Sequence, residues 1–160
     1  MPEILIVGYG NLLNGDDAIG CHVAHALEEH FRGDPEVEVI ASQRLTPEMA
    51  EDVARSRFVI FLDAIPGATP GTVRRAATSS APGPGGFGHD LTPAALLTAV
   101  EQLYGDAPSA VTFTMEGWSF ETGQRLSPQA RQHISGLVRE VVEFVTRRVQ
   151  GDRDKLPSCV

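Results

Sequence analysis

Residues 4–20, Ile-Leu-Ile-Val-Gly-Tyr-Gly-Asn-Leu-Leu-Asn-Gly-Asp-Asp-Ala-Ile-Gly, constrain the fold of this chain more than any other stretch. Ile4, Leu5, Ile6 and Val7 run together without polar alternation, the habit of a short strand buried on both faces of a parallel sheet. The run breaks at Gly8 and Gly10, turns through Asn14-Gly15, and reaches Asp16 and Asp17 just as a helical pattern begins. In open α/β sheets, ligands bind beyond the carboxyl ends of the strands. Asp16 and Asp17 therefore stand where chemistry is expected.

The rest of the chain alternates in the same manner. A helix over 17–31 carries Ile19, Val23, Ala26 and Leu27 on one stripe, and Gly33-Asp34-Pro35 stops it. Residues 37–41 read as a second strand. Thr46-Pro47-Glu48 opens a short helix that ends near Ser56, with Thr46 as cap and Pro47 at the first helical position. Residues 57–65 form the most continuous apolar run and belong at the centre of the sheet. Pro66-Gly67 and Pro70-Gly71 are turn dipeptides, and 72–76 reads as a weaker, more exposed strand. A Pro/Gly/Ser loop over 79–88 shows no hydrophobic periodicity and delivers His89; loops of this length inside a compact domain are usually functional or mobile.

A helix over 92–104 and a strand over 110–115 follow. Ser127-Pro128 then opens a last helix with Ile134, Leu137, Val138, Val141, Val142 and Val145 at helical spacing. The polar stretch 150–160 is expected to fray. With no internal repeat and no dividing linker, the expectation is one α/β domain over 1–149 and a disordered tail over 150–160. Its fold is a three-layer α/β/α sandwich around a twisted, largely parallel, mixed sheet of about five strands.

Composition narrows the partners. The formal net charge of -8 over 160 residues argues against nucleic acid, whose phosphates are held by clustered Lys and Arg. No apolar run approaches the roughly 20 residues needed to span a bilayer. Met1-Pro2-Glu3 runs straight into a strand without a basic segment, so no signal peptide is expected. Cys21 and Cys159 make no disulfide framework, and Cys21 reads as a small buried residue. These features predict a cytoplasmic protein without a membrane partner. With no heptad seam or apolar surface stripe, a monomer is expected.

Gly8-Tyr9-Gly10 begins a dinucleotide-like glycine pattern, but Leu13 stands at its third position. Two carboxylates occupy the helix entrance where a pyrophosphate would sit, and the second strand ends Ala41-Ser42-Gln43 without an acid for a ribose hydroxyl. A dinucleotide site does not follow. The structural account of Asp16 and Asp17 is helix capping; one cap suffices, which leaves Asp17 free to face the crevice. Asp63 closes the central apolar strand, where a desolvated carboxylate needs a partner or caps the turn after it. If the first strand and this one are parallel neighbours, Asp17 and Asp63 converge at one sheet edge. His89 would complete an oxygen, oxygen, nitrogen set suited to nickel or zinc with open positions. His22 lies close enough in sequence to compete for that role, whereas His133 is expected at the surface.

These residues resemble those of the hydrogenase maturation proteases. Residues 8–20 are similar to the family's N-terminal signature. Asp63-Ala64-Ile65 with Gly67 and Pro70-Gly71-Thr72 resembles its second motif, and His89 with Leu91, Leu96 and Leu97 its third. The later strand closes on Met115-Glu116-Gly117-Trp118, from which no role is carried over for Glu116. The resemblance implies a sheet between helices and an endopeptidase. Such an enzyme removes the C-terminal extension of a nickel–iron hydrogenase large-subunit precursor after nickel insertion. It implies Asp17, Asp63 and His89 as the catalytic and metal-contacting residues, and nickel supplied by the precursor as the metal. Two other functions fit the same residues: a metal-dependent peptidase or amidase with its own zinc, and a non-catalytic module whose acidic crevice docks a basic partner.

Overall fold

Five strands form one sheet in the order β2-β1-β3-β5-β4. They are β1 (Ile4–Tyr9), β2 (Val37–Ser42), β3 (Phe58–Ile65), β4 (Val73–Thr78) and β5 (Ser109–Glu116). The computed structural model describes residues 2–81 and 91–155. The β1–β2, β1–β3 and β3–β5 pairs are parallel and only β4 runs antiparallel, so the sheet is mixed and largely parallel as the alternating pattern requires. β3 lies at the centre because Phe58 to Leu62 can be buried on both sides; each of the five is buried. The thinner pattern of β4 suits an edge strand, and its Arg74, Arg75, Ala76 and Ala77 are exposed.

Four helices cover the two faces: α1 (Ile19–His30), α2 (Met49–Ala54), α3 (Pro93–Tyr104) and α4 (Pro128–Lys155). Strand alternation sorts the core into two halves. Ile4, Ile6, Ile60, Leu62, Phe113 and Met115 point toward α1 and α4, where they meet Val23, Leu27, Leu137 and Val141. Leu5, Val7, Val59 and Phe61 point the other way, onto Met49 and Val53 of α2 and Leu96, Leu97 and Val100 of α3.

Several boundaries differ from the sequence pattern, each for a local reason. Gly15–Ala18 forms a 3-10 turn, and α1 proper begins only at Ile19. Thr46 starts the α2 region through its backbone, its carbonyl accepting from Met49 N–H at 3.1 Å, and α2 itself begins at Met49. Thr92 and Ser127 are true side-chain caps: Thr92 Oγ1 accepts from Ala95 N–H and Ser127 Oγ from Ala130 N–H, both at 3.1 Å. The last helix continues through Lys155, so 150–155 take helical form; 156–160 lie outside the described residues. No helix among the described residues is long and apolar enough to cross a membrane.

Candidate active site

The glycines of the N-terminal stretch serve close packing. A Cβ on Gly8 would collide with the Gly20 carbonyl, and one on Gly20 would strike the carbonyl oxygens of Leu62 and Tyr9. α1 thus abuts the carboxyl ends of β1 and β3 because neither contact carries a side chain. Gly10 adopts φ 149° and faces the Asp17 carbonyl, again with no room for a Cβ. A glycine pattern of dinucleotide type is spent here on helix-to-sheet contact.

The loop between β1 and α1 is tied at every turn. Asn11 Oδ1 accepts from Leu13 N–H at 2.9 Å, and the Asn11 N–H donates to Asp17 Oδ2 at 2.7 Å. Asp17 therefore closes the loop behind it instead of capping its own helix, and its Oδ1 accepts no hydrogen bond from the described residues. Asp63, at the same edge on β3, accepts the Ala64 N–H on Oδ1 at 2.8 Å, a bond within its own turn. Each aspartate is held by one backbone N–H. Both line a single cleft of about 690 Å³ with Tyr9, Asn11, Asn14, Gln43, Arg44 and Thr92. The parallel β1–β3 pairing, with Gly8 opposite Leu62, is what brings Asp17 and Asp63 together.

Burial raises the pKa of Asp63 above the ordinary carboxylate value. Hydrogen bonds from the Tyr9 hydroxyl and the Ala64 N–H oppose that shift, and the Asp17 charge adds to it. Burial also raises the Tyr9 phenol, followed by the charges of Asp63 and Asp17, so this hydroxyl stays protonated in the physiological range. A carboxylate of raised basicity beside a second carboxylate can hold or accept a proton from a polarised water.

Asp16 has a different place from the one its position suggests. It is fully buried, and its carboxylate accepts Trp118 N–H at 2.7 Å, Ser119 N–H at 3.1 Å, Ser127 N–H at 2.8 Å and the Ser127 hydroxyl at 2.9 Å. It anchors the connection between β5 and α4 and caps no helix of its own. His89 lies outside the described residues, as does most of the 79–88 loop. His22 does not line the cleft; it is half-buried on α1, its pKa lowered by burial and by Arg131 and His25. His133 is exposed and stacks on Trp118, with ring centroids 4.7 Å apart. Cys21 is buried, as its small apolar character requires.

Tyr9, Gln43 and Arg44 were not singled out from the sequence. Only strand parity could have indicated Tyr9: it shares a face with Leu5 and Val7, and so with Asp63. Glu116 is also buried. Its backbone fastens Gly71 and Thr72, its side chain lies against Gly67, and its Oε2 has no hydrogen-bond partner among the described residues. Two carboxylates alone are a sparse donor set for a resident divalent ion. No group of three His, Cys, Asp or Glu converges among the described residues, so any such ion would need a ligand from beyond them.

No family model matches the chain. A Methanocaldococcus jannaschii protein, provisionally named a hydrogenase maturation protease, is 28% identical over 154 residues, which span 92% of this chain and 97% of that protein. The hydrogenase maturating endopeptidase HybD of Escherichia coli superposes with a TM-score of 0.71 at 25% identity, over 92% of this chain and 94% of that one. The chain is similar to hydrogenase maturation proteases over more than nine-tenths of its length. It is accordingly a hydrolase of the peptidase type. The fold of the family extends to HycI of Thermococcus kodakarensis, with a TM-score of 0.73 at 23% identity over 90% of this chain and 92% of that one.

Proposed function

We propose that this maturation protease is an endopeptidase that removes the C-terminal extension of a nickel–iron hydrogenase large-subunit precursor. The observation that carries the proposal is the shared cleft of Asp17 and Asp63, each with one oxygen tied to a backbone N–H. Asp63 is the general base, favoured by its raised pKa, and Asp17 orients the substrate beside it. His89 is the third member of the set. Nickel is part of the substrate: it arrives bound to the precursor, and Asp17, Asp63 and His89 read its presence. A sparse oxygen and nitrogen set binds such an ion weakly by itself, which is what a test for loading needs. The place of action is the cytoplasm.

Nickel-loaded and nickel-free precursor, each incubated with the protein and resolved by electrophoretic mobility, test this function. The expected outcome is cleavage of the loaded form alone. Asp63→Asn should lower the rate by at least about 100-fold while the fold is retained. Cleavage of both forms at equal rates would remove nickel from recognition. Undiminished cleavage by Asp63→Asn would remove the general base.

A further inference from the structure

The cleft holds two acids that can manage protons. Peptide hydrolysis also needs a donor at the place where negative charge appears on the scissile carbonyl oxygen. Tyr9 brings such a donor, a phenol O–H, into the cleft. It follows Gly8 of β1 just as Asp63 follows Leu62 of β3, and the two strands pair in parallel with Gly8 opposite Leu62. Tyr9 and Asp63 are consequently neighbours on one sheet face, at the carboxyl edge, and both line the cleft. The Tyr9 phenol O–H faces the Asp63 carboxylate across this strand pair.

Other polar groups of the cleft are placed less favourably. Asn11 sits on the loop beside Asp17, with its backbone N–H bound to that carboxylate. Gln43 and Arg44 stand exposed beyond the end of β2, one strand further from Asp63. Thr92 stands exposed at the start of α3. Tyr9 is half-buried and adjoins the proposed base across the β1–β3 pair.

We propose that Tyr9 is a third catalytic side chain, its hydroxyl donating a hydrogen bond to the scissile carbonyl oxygen as that oxygen becomes an anion. The proposal rests on the peptidase function above and adds the group that stabilises its transition state. Water oxygen forms a bond to the carbonyl carbon, its proton passes to the Asp63 carboxylate, and the carbonyl π pair moves onto oxygen. Once Asp63 is neutral it is a poorer acceptor, and the Tyr9 O–H turns from it to the new oxyanion. The oxyanion then re-forms the carbonyl and the C–N bond breaks. The proton held by Asp63 goes to the leaving nitrogen, giving a carboxylic acid and an amine, and the acid's own proton then passes to the amine to leave carboxylate and ammonium.

Tyr9→Phe removes one hydroxyl and keeps the ring, so the packing against Leu5 and Val7 is preserved. With nickel-loaded precursor, kcat is expected to fall about 100-fold, in line with loss of one oxyanion donor, while KM stays within about twofold. A scissile-segment peptide with a phosphinate in place of the amide should bind the wild type more tightly than the parent peptide. Tyr9→Phe should weaken that binding by the same factor as kcat and leave parent-peptide binding unchanged.

A kcat within threefold of wild type overturns the proposal, as does a loss confined to KM. A reduced kcat with unchanged phosphinate affinity overturns it in favour of a positioning residue that acts through Asp63. Absence of a wild-type preference for the phosphinate also overturns it. Failure of the wild type to cleave any precursor is distinguishable from these results, and removes the peptidase function together with the proposal.

Discussion

Asp16 and Asp17 are adjacent and chemically identical, yet they do unlike work. Asp16 accepts four hydrogen bonds from a connection more than a hundred residues away, whereas Asp17 accepts one from its own loop and faces the cleft. Asp16→Asn places an amide N–H₂ against donors that have no other acceptor. It should cost about 2–4 kcal/mol, read as a lower urea midpoint. Asp63 should respond in the opposite sense. Its folded pKa is raised, so the folded state binds more protons than the unfolded chain once the pH passes the ordinary carboxylate value. Stability then falls with rising pH until the folded carboxyl has ionised. Asp63→Asn is therefore expected to raise the melting temperature at neutral pH. The gain should vanish in acid, below the unfolded pKa, as a pH series of thermal melts would show. The same substitution that stops processing should stabilise the protein.

Among the elements, α1 is positioned by what it lacks. Gly20 lets its first turn touch the ends of β1 and β3, and that contact sets where Asp17 enters the cleft. Gly20→Ala adds a methyl against two carbonyl oxygens and should cost about 1–3 kcal/mol by overpacking. Because the helix must shift, precursor cleavage should drop with stability, which a paired denaturation and processing assay would detect. The short α2 depends on Met49 and Val53 fitting the sheet, since six residues are too few to be helical alone. Its sequence pattern was readable, but its start was not. Thr46 and Pro47 suggest a side-chain cap, and the backbone carbonyls of the same residues take that role instead.

For the whole molecule, the central strand serves both halves of the core. Phe61 fills the α2–α3 side and is fully buried, so Phe61→Ala should cost about 3–5 kcal/mol in chemical denaturation. Much of this architecture is legible in the chain. The continuous runs at 4–7 and 57–65 demand burial on both faces, and helical stripes between strands demand a sandwiched parallel sheet. Asp17 and Asp63 were legible as well, because carboxylates at the ends of such strands are placed by topology. Tyr9, Gln43 and Arg44 were not, and neither was the remote attachment of Asp16. Local patterning encodes which residues are buried and where strands end, since hydrophobicity and backbone preference act over a few neighbours. Strand order and register act between residues far apart in the chain. Only they decided that Tyr9 stands beside Asp63, that Asp16 reaches Ser127, and that two aspartates 46 positions apart in sequence face one cleft.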